Sequence, residues 1–526
     1  MGRYFGTIAL AAAVAFSVSP ANAKSLRFAF QGDAGSMDPY FLNETFTLGY
    51  LGNIYEGLTR RGPDLTIEPA LAESWEIIEP TRWRFHLRKG VEFHNGEAFT
   101  ADDVVFSAER VRKEGSDLKT RLASVVDVIK VDDHTVDFVT KAPNPILNAE
   151  WDTWYIMSKS WAEANGAADP GSVRTGEENY AATHTNGTGP FMLQSREADV
   201  RTVAVVNPNW WGTPEHNLTE VILTPVGTDA TRVSALLTGE VDVMYPVPVQ
   251  DIDRINQNAG TQVLVGPELR TIFLGMDQMS DTLRYSSLAE GKNPFKDVRV
   301  RKAFYKAIDI DAIHRVVMRG LSNPSAEMVA PEIQGANPER FQRMPYDPEG
   351  AKTLLSEAGY PDGFRLQMDC PNDRYVNDEQ ICQAVASMLA KIGVEIDLVA
   401  QTKSKYFEKV LAYDTSFFLL GWTPGSFDSW NPIHNLHGCR TEEGRGQFNL
   451  GGYCNPKVDE LAGRILSETD LDKRDELIGS AWQMVYEEVG HIPLHQQALA
   501  WGVRDGVNVA QRPDNVFAWR HITIDN

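Results

Sequence analysis

Between residues 378 and 398 the hydrophobic period changes once, and that change limits what the chain can fold into. Ile381, Val385, Met388, Leu389 and Ile392 recur at helical spacing and share one face. Gly393 interrupts, and Val394-Glu395-Ile396-Asp397-Leu398 then alternates with period two. A helix stopped by glycine and followed at once by a half-buried strand is a β/α unit, which needs both a sheet and a covering layer of helices. Leu26-Arg27-Phe28-Ala29-Phe30 and Trp83-Arg84-Phe85-His86-Leu87-Arg88 also alternate as strands do. Asp297 can cap a helix to about Ile308, with Val300, Ala303, Phe304, Ala307 and Ile308 on one stripe. Asp309 or Asp311 can cap the next, with Ile313, Val316 and Val317 inside. Without repeats or low-complexity tracts, the expected class is α/β in several layers.

The N-terminal residues read as an export signal. Arg3 gives a positive start, residues 6–18 are mostly small and apolar, and Ala21-Asn22-Ala23 is an A-x-A cleavage site, so the mature chain is expected to begin near Lys24. The apolar stretch is shorter than the roughly 20 residues that cross a bilayer, and no second run of that kind follows. No cysteine lies beside the cleavage site. These features predict a soluble periplasmic protein without a lipid anchor. With 526 residues, 42% of them hydrophobic and 23% charged, the chain has material for two to four domains. A formal charge of −22 disfavours nucleic acid and anionic membranes as partners, because their phosphates would be repelled. A small ligand or a protein dock remains.

In an oxidising compartment four cysteines suggest two disulfides, and three connectivities are possible. The neighbouring pairs are Cys370 with Cys382 and Cys439 with Cys454. Each would close a short loop, contributing roughly 3 kcal/mol through loop entropy. Four buried thiols are the alternative, and the spacing is too wide for a zinc site.

Three segments mix aromatic and polar residues as a concave small-molecule site does: 38–50, 151–155 and 421–437. Domain seams have the same composition. No G-x-S-x-G elbow, H-E-x-x-H, G-x-x-x-x-G-K-[ST] or strand-borne G-x-G-x-x-G is present, which disfavours hydrolase and nucleotide chemistry and leaves no catalytic residue to nominate. His491 and His495 have i,i+4 spacing, but Pro493 between them argues against the helix a shared metal would need. His434, His437 and Cys439 form a second cluster, read as loop packing. No metal or other cofactor is expected.

Several segments then resemble the dipeptide-, oligopeptide- and nickel-binding solute receptors of ABC importers, bacterial extracellular solute-binding protein family 5. The most specific is the run from Leu71-Ala-Glu-Ser-Trp to Trp83-Arg-Phe-His-Leu-Arg-Lys-Gly-Val-Glu-Phe-His-Asn-Gly, ending at Ser107. Supporting segments are Asn186-Gly-Thr-Gly-Pro-Phe, Val298-Arg-Val-Arg-Lys-Ala-Phe, Ala351-Lys-Thr-Leu-Leu-Ser-Glu-Ala-Gly-Tyr and Tyr453-Cys-Asn-Pro-Lys-Val-Asp-Glu-Leu. The resemblance implies a two-lobed periplasmic-binding-protein-like α/β fold of class II with an extra subdomain in the N-terminal lobe. By analogy lobe I holds residues 24–55, 187–268 and 495–526, the subdomain 56–186 and lobe II 269–494. A small peptide or peptide-like solute would lie between the lobes, and closure would create the surface an inner-membrane ABC permease recognises. The protein would act as a monomer, with no covalent step.

Binding residues carry over one at a time. Arg374, in Cys370-Pro-Asn-Asp-Arg-Tyr, resembles the arginine that pairs with a ligand carboxylate in peptide-binding relatives, a role that suits a planar bidentate donor. A Cys370–Cys382 staple would close its loop. The alternative is a surface arginine paired with Asp373 or Asp378. Peptide binders of the family typically place an aspartate for the ligand ammonium four residues after the glycine of a Gly-Trp segment; here Gly421-Trp422-Thr423-Pro424 leads to Gly425, with Asp428 the nearest carboxylate. Asp428 then substitutes from a shifted loop, or the ligand lacks an ammonium there. Trp422 and Trp430 would offer apolar surface, or Trp422 is simply core. Thr45 and Phe46 occupy the first-lobe region expected to face the cleft. A non-peptide solute, such as an opine-like conjugate, an oligosaccharide or a metal chelate, stays open as the alternative, with a secreted enzyme or a chaperone-like holder more remote.

Overall fold

The computed structural model describes residues 24–151 and 153–525. The expected export signal, with Arg3 and the Ala21-Asn22-Ala23 site, lies outside the described residues. No described helix is long and apolar enough to cross a membrane.

One large mixed sheet organises the chain. Its strands run in the spatial order Val394–Gln401, Phe364–Pro371, Phe417–Trp422, Thr261–Met276, Ile492–Arg504, Val243–Tyr245, Ser25–Phe30, Glu220–Pro225, Arg201–Val206 and Phe191–Glu197. Toward each end, parallel pairs mark β/α crossovers: Phe364–Pro371 with Val394–Gln401, and Ser25–Phe30 with its two neighbours. The two long central strands pair antiparallel in three stretches separated by two register shifts: Thr261 to Pro267 against Arg504 to Ala498, Thr271 to Ile272 against Gln496 to His495, and Phe273 to Leu274 against Pro493 to Ile492. Each long strand therefore serves two cores. Phe28, Leu223 and Trp501 belong to one; Ile272, Leu419 and Leu494 to another.

The local signals account for the elements. Along Arg82–Leu87, Trp83, Phe85 and Leu87 are buried while the residues between are half-buried, and the strand sits in a separate four-stranded antiparallel sheet. There Arg84 faces Asp137 on the neighbouring strand and binds it at 2.7 Å. The helix Asp378–Ala390 buries Ile381, Val385, Met388 and Leu389, and Gly393, at φ +84°, turns the chain into the next strand. Asp297 caps Val298–Ala307 by accepting the Arg299 N–H. One expectation needs correction. The helix capped by Asp309 covers only Ile310–Ala312 before a wider π turn, Ile313–Val317, which adds a residue to the turn and rotates Val316 out to 74% exposure. Both neighbouring cysteine pairs are disulfides, Cys370–Cys382 and Cys439–Cys454.

Candidate functional site

A cavity with about 870 Å³ of empty volume, partly open to solvent, lies where the N-terminal residues 42–48 meet the loops that follow the strands Phe364–Pro371 and Phe417–Trp422. Its apolar lining includes Leu48, Phe407, Leu411, Trp422 and Phe448, and its charged lining includes Glu44, Asp117, Arg121 and Arg374. An apolar chamber with a few placed charges suits a small ligand that needs orienting.

Glu44 organises one side. It caps the helix Thr45–Leu51, accepting N–H groups from Phe46 at 3.0 Å and Thr47 at 2.8 Å. Two cations converge on it: Arg374 Nη2 at 3.0 Å and Lys403 Nζ at 3.4 Å. Burial works against the Glu44 charge, but Arg374, Lys403 and the Thr47 bonds hold its carboxyl far below the usual range. Glu268 and Asp378 also act on Arg374, and Asp373 on both cations.

Arg374 is fixed from behind. The Asp378 carboxylate accepts the backbone N–H groups of Arg374 and Tyr375, both at 2.9 Å, and Asp378 starts the helix that carries Cys382, while Cys370 lies one residue before the end of the preceding strand. The disulfide thus brackets the loop. Arg374 is buried, lies 4.8 Å above the Tyr375 ring, and its Nε has no acceptor among the described residues. Neither Asp373 nor Asp378 is its ion-pair partner; Glu44 is. Arg270, paired with Glu268 at 2.7 Å, stands over the same ring.

The other nominated residues divide. Thr45 and Trp422 line the cavity, the indole N–H of Trp422 donating to Asn431 at 2.9 Å and its ring lying 5.0 Å from Phe448. Phe46 does not line it: the ring stacks on Phe30 at 3.7 Å in the core, one helical step beyond Thr45. Asp428 is likewise not on the wall. It receives both terminal nitrogens of Arg474 at 2.7 Å and the Trp430 N–H at 2.8 Å, and it is buried. Trp430 is also core, its indole donating to Ala462. Of segment 151–155, Thr153 reaches the cavity while Trp151 and Trp154 are fully buried. Glu44, Arg121, Phe407 and Phe448 escaped the sequence reading. Glu44 had a signal, an acid immediately before a short apolar run; Arg121 had none.

The histidines hold one another. His491 Nδ1 and His437 Nε2 lie 2.9 Å apart, His437 Nδ1 meets the Pro432 carbonyl, and His434 stacks on Trp430. Burial lowers the pKa of His437 to about 4. Cys439 is taken by its disulfide. Among the described residues no group of three or more His, Cys, Asp or Glu side chains could hold a metal ion.

Residues 66–444 match the profile of bacterial extracellular solute-binding proteins, family 5. The dipeptide-binding protein of Escherichia coli K12 is 30% identical over 451 residues, 80% of this chain and 79% of that one. Among solved structures, the periplasmic binding protein DppA from Helicobacter pylori, in complex with the peptide STSA, superposes with a TM-score of 0.85 at 24% identity, covering 96% of this chain and 98% of its own. The binding protein AgaA from A. tumefacien R10, in complex with agropinic acid, gives 0.84 at 22% identity, covering 95% and 99%. These likenesses show the two-lobed α/β fold.

Proposed function

This chain belongs to family 5 of the bacterial extracellular solute-binding proteins, and from that premise we propose that it captures a small peptide or peptide-like solute between its lobes and delivers it to an inner-membrane ABC permease. The observation that carries the ligand class is the convergence of Arg374 and Lys403 on the single carboxylate of Glu44 at the cavity wall. An incoming carboxylate meets the Arg374 guanidinium at the cavity wall, inside a chamber where charge-assisted bonds are strong.

The proposed lobes are 24–55, 187–268 and 495–526 for lobe I, with 56–186 as its subdomain, and 269–494 for lobe II. The register shift between Pro267 and Thr271 supports a crossing there, since each long strand changes core at that point. Export to the periplasm with cleavage before Lys24, monomeric action and binding without chemistry complete the reading. The ligands named for the similar structures, a peptide and agropinic acid, are both compatible with a carboxylate anchor.

Calorimetry on protein stripped of solute by unfolding and refolding tests the anchor. Arg374→Ala is expected to weaken binding of a carboxylate-bearing peptide by about 2–5 kcal/mol, because the ligand's buried charge loses its partner. Unchanged affinity in a folded variant contradicts the role.

A further inference from the structure

A second chamber, with about 620 Å³ of empty volume, shares Thr153 and Val516 with the cavity described above. One short helix serves both: Leu48 of Thr45–Leu51 lines the first chamber, while Gly49 and the capping Gly52 line the second. Thr153 stands at the shared edge. Its Oγ1 is buried and has no hydrogen-bond partner among the described residues, and Thr423 Oγ1, on the lining of the first chamber, is in the same state. A buried hydroxyl without a partner costs about 1–3 kcal/mol, a cost that a solute with amide groups at these two points removes.

The charged groups around the second chamber answer one another. Arg60 pairs with Glu68 at 3.2 Å and Arg512 with Asp514. Arg61 donates to the carbonyls of Leu65 and Ala149 at 3.0 and 3.1 Å, and its own carbonyl accepts from Arg520 at 2.8 Å. Glu56 is the one carboxylate on this lining among the described residues. It accepts the Trp211 indole N–H at 2.7 Å, the Thr188 hydroxyl at 3.0 Å and the Trp210 indole N–H at 3.3 Å. Burial raises its pKa, which makes it a poor counter-ion. An ammonium here would lie among guanidinium groups, and a carboxylate would have to displace partners already in place. An uncharged amide end requires neither.

We infer that the second chamber is a subsite for the far end of the solute, so that the ligand class is a carboxylate-headed, peptide-like chain with an uncharged amide tail. The head lies at Arg374 and the tail passes Thr153. This rests on the reading of the first cavity as the solute site.

Calorimetry on stripped, refolded protein tests it with acetyl-capped alanine peptides of two to five residues, each with a free carboxylate. Affinity is expected to rise about tenfold or more along the series, the size of one or two hydrogen bonds. At the tightest length, replacing the acetyl cap by alanyl adds an ammonium at the same end, and replacing it by succinyl adds a carboxylate; both should bind more weakly. Ala518 is buried and lines the second chamber alone. Ala518→Leu should abolish the gain with length and leave the shortest probe unaffected. Thr153→Val removes the hydroxyl at nearly constant volume, so it should keep or raise Tm while weakening the longest probe about fivefold, which decides the matter if Ala518→Leu does not fold. A flat series with unaltered protein, tighter binding of either charged end, or a length gain that survives Ala518→Leu in folded protein overturns the inference and leaves the carboxylate anchor standing. If refolded protein binds no probe in the series, the solute-site reading fails and this inference with it.

Discussion

The loops 372–377 and 423–429 each follow a strand of the large sheet on the same side of the cavity, and each carries a charged residue that resemblance marks for the ligand. Only Arg374 reaches the wall. In the first loop the local acid, Asp378, is spent on backbone N–H groups, which frees the arginine to look across the cleft to Glu44. In the second, Asp428 finds Arg474 on the helix Leu471–Glu488 and is consumed by it, and the wall is left to Gly425 and the arginine that fits against it. A charged side chain's role is thus set by what the fold brings opposite it, which no stretch of neighbouring sequence contains.

The comparison can be broken most sharply at Asp428. Asp428→Ala leaves Arg474 buried without its anion and should cost about 3–5 kcal/mol of stability, read as a large fall in Tm, with ligand affinity little changed in what remains folded. A loss of affinity with no loss of stability would return Asp428 to the binding site. The paired change Cys370→Ser with Cys382→Ser comes next. It should cost roughly 3 kcal/mol of stability and also weaken carboxylate binding, because it releases the bracket around Arg374. The matching change at Cys439 and Cys454 should lower stability alone. Equal effects of the two pairs on affinity, measured by calorimetry, would show that the bracket does not order Arg374.

A third test concerns Glu150. Its folded pKa is raised from 4.5 to about 8 by burial, so the folded state holds a proton that the unfolded chain has already released. Stability from this group is full below about pH 4.5 and is lost as pH rises toward 8. Glu150→Gln should flatten the decline over that interval in melting curves recorded at several pH values. An unchanged slope would mean that Glu150 is ionised in the folded state.

Much of the frame was legible because it depends on local pattern. The helix of residues 378–390, the strand after Gly393 and the Asp297 cap each follow from spacing, and the two disulfides join the nearest cysteines in the chain. Val316 was misplaced because a helical wheel assumes a constant turn, and a π turn breaks that assumption. At the site, Arg374, Thr45 and Trp422 came from resemblance and fall on the wall, whereas Phe46 lies one helical step from it and turns into the core. Arg121 could not be found from sequence. It approaches Gly425 from about 300 residues away, and only the assembled fold shows that a glycine and an arginine share one space.

The central claim is recognition of a carboxylate at Arg374 within the cavity, and a thermal-shift assay tests it most directly. Stripped and refolded protein is melted with pooled di- to pentapeptides and with the same pools amidated at the C-terminus. Binding to the folded state at about 100 times the Kd adds about 2.7 kcal/mol, enough to move Tm visibly. The account predicts a clear rise with the free-carboxylate pools and little or none with the amidated ones. An equal rise with both, or no rise with any pool from protein shown to have refolded, would contradict it.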